Sequence, residues 1–197
     1  MKILLVSDKE ESYIWDYFDR ERFKGVELIL SCGDLKSEYL SFLVTMINAP
    51  LFYVPGNHDK SYLTKPPEGC VCADDDIVTY KGIRILGLGG CMVYNFQPYQ
   101  YSEEEMVKRI WKLRHKIKKS KGFDIILSHA PALGLGDGED KAHRGYQCFV
   151  DLMDSYSPRY LIHGHQHLNY GRQSRIIQYK ETTIINACGY HIIDCSF

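Results

Sequence analysis

The sequence predicts an α/β fold in which a pair of mixed β-sheets is covered by helices. Apolar runs at residues 2–6, 27–31, 51–54, 83–88, 124–127 and 159–162 are rich in Ile, Val and Leu and read as strands buried on both faces. Helical patterns lie between several of them: Ile14, Tyr17 and Phe18; Leu40, Leu43, Val44 and Ile47; Tyr146, Phe149, Val150 and Met153. Five polar segments each follow one of the apolar runs: Ser7-Asp8-Lys9-Glu10, Cys32-Gly33-Asp34, Gly56-Asn57-His58-Asp59, Ser128-His129-Ala130-Pro131 and Gly164-His165-Gln166-His167. Groups at the carboxyl ends of strands in open α/β sheets converge on one crevice, where ligands bind.

Taken in order, Ile3-Leu4-Leu5-Val6 is too short for a signal-peptide core and leads straight into Asp8, so it reads as the first strand. Strand, helix, strand alternation then implies parallel pairing through crossover helices. Residues 76–80 and 83–88 read as a hairpin turning at Lys81-Gly82. A long helix is fixed by a capping box, Ser102 with Glu105, and by the apolar face of Met106, Ile110, Leu113 and Ile117. Its other face carries Lys108, Arg109, Lys112, Arg114, Lys116, Lys118, Lys119 and Lys121, read as a solvated basic face. Residues 132–146, with Gly134, Gly136 and Gly138, read as a loop beside the crevice, where His143 and Arg144 either reach a substrate phosphate or form a charge pair at a helix start. From Arg175 onward the strands 176–179, 183–185 and 192–193 are too closely spaced for helices and read as an antiparallel meander. The whole chain, 1–197, reads as a single domain.

Composition narrows the function. With 45% hydrophobic and 25% charged residues and a formal charge of -1, the chain has no general attraction for nucleic acid or anionic membrane. No segment is long enough to span a bilayer. Seven cysteines, an odd count with no secretion signal, point to reduced thiols and a cytoplasmic location. Cys70-x-Cys72 has the wrong spacing for a zinc or redox pair, and Cys32, Cys91 and Cys188 read as small buried residues.

The five polar segments carry the chemistry. Asp8 and Asp34 are hard anionic oxygen donors, Asn57 offers a carbonyl oxygen, and His129, His165 and His167 offer imidazole nitrogen. That set suits Mn, Fe, Co or Zn rather than Ca. Residues two apart in extended chain point the same way, so His165 and His167 can reach neighbouring metals from one segment. His58 can instead project toward substrate, with Asp59 placed either to orient it or to close the turn, and Tyr94 and Asn95 fall where they could line the cleft.

In order and spacing, Asp8, Gly33-Asp34, Gly56-Asn57-His58-Asp59, His129 and Gly164-His165-Gln166-His167 resemble the calcineurin-like metallophosphoesterase superfamily, over nearly the whole chain and at the length of its small bacterial single-domain members. The resemblance implies a four-layer αββα sandwich of two mixed β-sheets flanked by helices. It implies two divalent metal ions, manganese first, with iron, zinc, cobalt or nickel as alternatives. Asp8, Asp34 and His167 would hold one ion and Asp34, Asn57, His129 and His165 the other, with Asp34 as bridge. A hydroxide shared by the ions would attack a phosphomonoester or phosphodiester, and His58 would protonate the leaving oxygen. One departure stands out: the family's Asp-x-His opening reads Asp8-Lys9-Glu10, and Glu10 then takes the ligand position, favouring harder metals such as Mn. The expected partner is a small-molecule phosphoester, with no membrane and no nucleic acid, and the oligomeric state is left open. Two rivals remain: a degenerate scaffold that binds protein partners, and a nuclease acting through the basic helix.

Overall fold

Along β1 (Lys2–Ser7), successive side chains enter different apolar layers, Ile3 and Leu5 on one side and Leu4 and Val6 on the other. This alternation, repeated strand by strand, builds the architecture seen in the computed structural model, which describes residues 1–167 and 174–195. The first sheet runs in the order β13 (Gly189–Asp194), β1, β2 (Val26–Ser31), β3 (Leu51–Tyr53) and β4 (Val71–Cys72), parallel except for β13. The second runs β11 (Ile176–Tyr179), β12 (Thr182–Asn186), β10 (Tyr160–His163), β9 (Ile125–Ser128), β6 (Ile83–Leu88) and β5 (Asp76–Tyr80), with a parallel centre and antiparallel edges. A short parallel pair, β7 (Cys91–Met92) with β8 (Gln100–Tyr101), stands apart.

Three buried layers follow. Ile3, Leu28 and Leu30 of the first sheet meet Ile85, Leu127 and Ile162 of the second. On the outer face of the first sheet, Leu4 and Ile29 pack under Ile14 of α1 (Ser12–Trp15) and Leu40 and Leu43 of α2 (Ser37–Ile47). On the outer face of the second, Leu86 and Ile126 pack under Met106 and Leu113 of α3 (Glu103–Ser120) and Phe149 of α4 (Gln147–Tyr156). Helix, sheet, sheet, helix is the four-layer sandwich that the resemblance implied. Among the described residues no helix is long and apolar enough to cross a membrane.

The hairpin of β5 and β6 and the capping box of α3 form as expected, with Ser102 Oγ accepting from Glu105 N and Glu105 accepting from Ser102 N. Three expectations change. Only one turn of α-helix forms at Ser12–Trp15, and Tyr17 is exposed. The three final strands are not one meander: β11 and β12 pair, but β13 crosses to the first sheet and lies antiparallel to β1, Ile193 opposite Ile3. Crossing covers the edge of β1, which would otherwise present unpaired backbone groups. Arg109 leaves the solvated face of α3 and is buried, donating to Asp74, Asp75 and the Gly89 carbonyl.

Candidate metal centre

The parallel strands bring the carboxyl ends of β1, β2, β3, β9 and β10 together, and the chain turns sharply there. Asp8, Asp34 and His165 all have φ near +60°, at 61°, 56° and 65°. Side chains with a Cβ rarely adopt this left-handed region, at a cost of about 1–3 kcal/mol each, and such residues cluster at functional sites. Two motif glycines permit the crowding. A Cβ on Gly56 would stand 2.1 Å from Asp34 Oδ1 and 2.7 Å from His129 Cε1, and one on Gly164 would stand 2.5 Å from Asp8 Oδ2.

His129 is the hub. Its Nε2 lies 3.0 Å from Asn57 Oδ1, 3.1 Å from His165 Nδ1 and 3.3 Å from Asp34 Oδ2. The far nitrogens settle the tautomers. His129 Nδ1 is 2.7 Å from the Cys32 carbonyl and His165 Nε2 is 2.8 Å from the Ala142 carbonyl. A carbonyl only accepts, so each of those nitrogens carries a hydrogen, and in the neutral rings the facing nitrogens keep lone pairs. Asn57 is turned the same way, because its Nδ2 donates to the Tyr94 hydroxyl and leaves Oδ1 pointing inward. Acceptors of Asp34, His129 and His165 lie within 4.8 Å of one another, and an inward cluster of acceptors is stable only around positive charge. One carboxylate, one amide oxygen and two imidazoles suit a divalent transition ion.

The titration of the cluster agrees. For Asp34, burial pushes the carboxyl up, but the charge and hydrogen bond of His129 and the His58 N–H hold it at about 2. For His129, burial pushes the imidazole down, but the Asp34 carboxylate and then Asp8 raise it to about 9. Burial and the charge on His129 push His165 down to about 3. The metal-free centre therefore keeps a proton among its acceptors.

The expected residues fall into two groups. Asp34, Asn57, His129 and His165 meet directly. Asp8 stands beside them, raised by burial and accepting from Ser7 Oγ and from the His165 N–H at 2.9 and 3.0 Å. His58 is exposed, tied to the centre through its backbone N–H, which donates to Asp34 Oδ1 at 2.8 Å. Glu10 is engaged by Lys36: its carboxylate accepts from the Lys36 N–H at 3.1 Å and from Lys36 Nζ at 3.2 Å. His167 is exposed at the end of the described stretch. Asp59 closes the turn. Its Oδ2 accepts from Asp34 N and Gly56 N, both at 2.7 Å, clamping the two loops, and burial raises it to about 7.

The supports that sequence reasoning missed are mostly backbone. The Cys32 and Ala142 carbonyls carry no side-chain signature. Ala142 belongs to the glycine-rich loop, which Asp137 ties down by accepting from Gly134 N and Gly145 N, both at 2.9 Å. The same loop packs the His143 ring 5.1 Å from that of His165 and pairs His143 Nδ1 with Asp140 at 2.8 Å. Tyr94, expected only to line the cleft, reaches a candidate ligand.

The sequence profile of the family described as calcineurin-like phosphoesterase matches residues 1–169, a span that takes in all five motifs. The chain belongs to that family. Among curated proteins this calcineurin-like phosphoesterase is 28% identical over 160 residues to human metallophosphoesterase domain-containing protein 1, and equally so to its mouse counterpart. The match takes in 74% of the chain and 44% of each relative, so the chain spans less than half the length of the curated relatives it matches. Among solved structures it superposes on TT1561 of Thermus thermophilus with a TM-score of 0.61 at 13% identity, over 95% of this chain and 89% of that one, a likeness of fold alone. The family is metal-dependent, in keeping with the donor set around His129.

Proposed function

We propose that the chain is a two-metal phosphoesterase that hydrolyses a small phosphomonoester or phosphodiester. One observation carries the reading: oxygen and nitrogen acceptors from separate strand ends surround His129 Nε2 at 3.0 to 3.3 Å, with their tautomers and orientations fixed from behind. Asp34, Asn57, His129 and His165 would hold one divalent ion, and Asp8, Asp34 and His167, with Glu10 beside them, a second. Manganese is the first choice for so oxygen-rich a set. Bound ions supply charge that stabilises the phosphoryl transition state and lowers the pKa of attacking water.

The protein's own groups do the rest. His58 stands exposed at the rim while its N–H is held by Asp34, so its ring is available to protonate the leaving oxygen. Asp59, by clamping Asp34 N and Gly56 N, fixes the loop that carries His58 relative to the loop that carries the bridge.

The scaffold reading draws on the pairing of Glu10 with Lys36, but buried Asn57, His129 and His165 serve no scaffold. The nuclease reading is weakened by position. Arg84, at the start of β6, donates to the Ser120 and Lys121 carbonyls, so the basic end of α3 lies at the opposite end of the strands from the metal ligands. Purified chain reconstituted with Mn is expected to cleave a chromogenic phosphoester, with His58→Ala lowering turnover at unchanged metal content. Loss of metal in that variant would move His58 among the ligands, and absence of turnover with bound metal would favour the scaffold.

A further inference from the structure

A groove of about 710 Å³ opens where the end of α3 meets the end of α4, lined by Arg114, Lys118, Lys121, Phe123 and Tyr156 among others and by no carboxylate. That volume falls in the range of small-ligand sites. Asp124, just before β9, is bound to Arg84 in the wall of the groove, so the groove lies at the amino-terminal edge of the second sheet. The candidate ligand His129 follows β9 at its other end, roughly 15 Å away at about 3.3 Å per strand residue.

Basic residues at a helix C-terminus often serve only to neutralise its carbonyls. Here that task is already filled: Arg84 Nη1 donates to the Ser120 and Lys121 carbonyls at 2.9 and 2.6 Å. Two cations of α3 outside the groove are paired, Arg109 with Asp74 and Asp75, and Lys116 with Asp76 at 2.8 Å. Around the groove they differ. Lys118 and Lys121 are exposed and, among the described residues, make no ion pair, and the Arg114 guanidinium lies 3.5 Å from the centre of the Trp111 ring instead of on an acid. Between them the Tyr156 ring is 44% exposed and rests on buried Phe123, centroids 5.0 Å apart. Unpaired positive charge next to a half-exposed aromatic ring matches an anion with a planar body. The volume of the groove confines it to a compact one.

We propose that this groove is a second binding site, distinct from the metal centre, that takes a nucleoside polyphosphate. The phosphates sit on Lys118, Lys121 and Arg114, and the base stacks on Tyr156. Calorimetric titration of the metal-loaded chain with the non-hydrolysable β,γ-imido analogue of adenosine triphosphate tests it. The exposed double variant Lys118→Glu/Lys121→Glu is expected to weaken that binding more than tenfold and leave hydrolysis of a chromogenic phosphoester unchanged. Inorganic imidotriphosphate is expected to bind about tenfold more weakly than the nucleotide, a difference that Tyr156→Ala abolishes. Unchanged nucleotide affinity in the double variant, or no binding to the wild type at millimolar concentration, overturns the site. Equal affinity for nucleotide and inorganic analogue overturns the ligand class.

Discussion

His129 Nε2 and His165 Nδ1 face each other at 3.1 Å, each ring committed through its other nitrogen to a backbone carbonyl. Two lone pairs at that distance repel unless a positive charge lies between or beside them. His129→Ala and His165→Ala are therefore expected to lower Mn affinity by more than about 100-fold, since losing even an outer partner of a ligand typically costs 10–100-fold. Isothermal titration of metal-free protein measures this, and unchanged affinity in either variant would place the ion elsewhere.

The proton on His129 gives metal binding a pH dependence. The ion needs a neutral imidazole, yet the metal-free chain holds His129 at about 9, against an ordinary 6.5. Mn affinity is expected to rise with pH up to about 9, by about tenfold per unit, with one proton released per ion bound. The sign reverses for the stability of the metal-free fold. A raised histidine stabilises the folded state fully below its unfolded value near 6.5, and that contribution is lost as pH rises through 9. Titrations in buffers of different ionisation enthalpy count the proton, and a flat profile from pH 6 to 9 contradicts the assignment.

Tyr94 acts through Asn57. Its hydroxyl accepts the Asn57 amide at 3.2 Å and so aims Oδ1 at the centre. Tyr94→Phe is expected to weaken Mn binding about tenfold without lowering the melting temperature of the metal-free chain. A large loss of stability with intact affinity would make Tyr94 a packing residue only.

Much of this was legible in the sequence, for local reasons. The capping box and 3.6-residue period of α3 are short-range signals, and each candidate ligand follows its strand, so their convergence needed only parallel strands in two facing sheets. Other features were not, because they are set by distant partners. The pattern of β13 shows that it is a strand but not that the open edge of β1 will claim it. Arg109 looked like one more cation on a basic face until Asp74 and Asp75 were brought over it. The Cys32 and Ala142 carbonyls that set the tautomers have no residue type to announce them. The Lys36 partner of Glu10 is equally non-local, within reach only after β2 folds beside β1.

Gly56 tests the crowding directly. Gly56→Ala would press its methyl against Asp34 Oδ1 and His129 Cε1, atoms that cannot retreat without leaving the centre. The expected cost is about 1–3 kcal/mol in urea unfolding, together with a loss of metal affinity. Wild-type stability and affinity in this variant would show that the loop relaxes freely.

The pairing of Glu10 with Lys36 predicts that two ions bind unequally. One equivalent of Mn is expected to bind tightly, and a second more weakly at Asp8, Asp34 and His167. Glu10→Ala is expected to affect only the weaker equivalent. Two equivalents of equal affinity, both weakened by that change, would place Glu10 closer to the centre than its bond to Lys36 allows.

The central claim is that side chains from separate strand ends jointly hold a cation that the hydrolysis of a phosphoester requires. Its most direct test is equilibrium dialysis against Mn, with hydrolysis assayed on the same samples, for the wild type and Asp34→Asn. The account predicts that the wild type retains Mn and cleaves the ester, and that Asp34→Asn loses both together. Metal retained in full by Asp34→Asn, or hydrolysis surviving after its metal is gone, would contradict it.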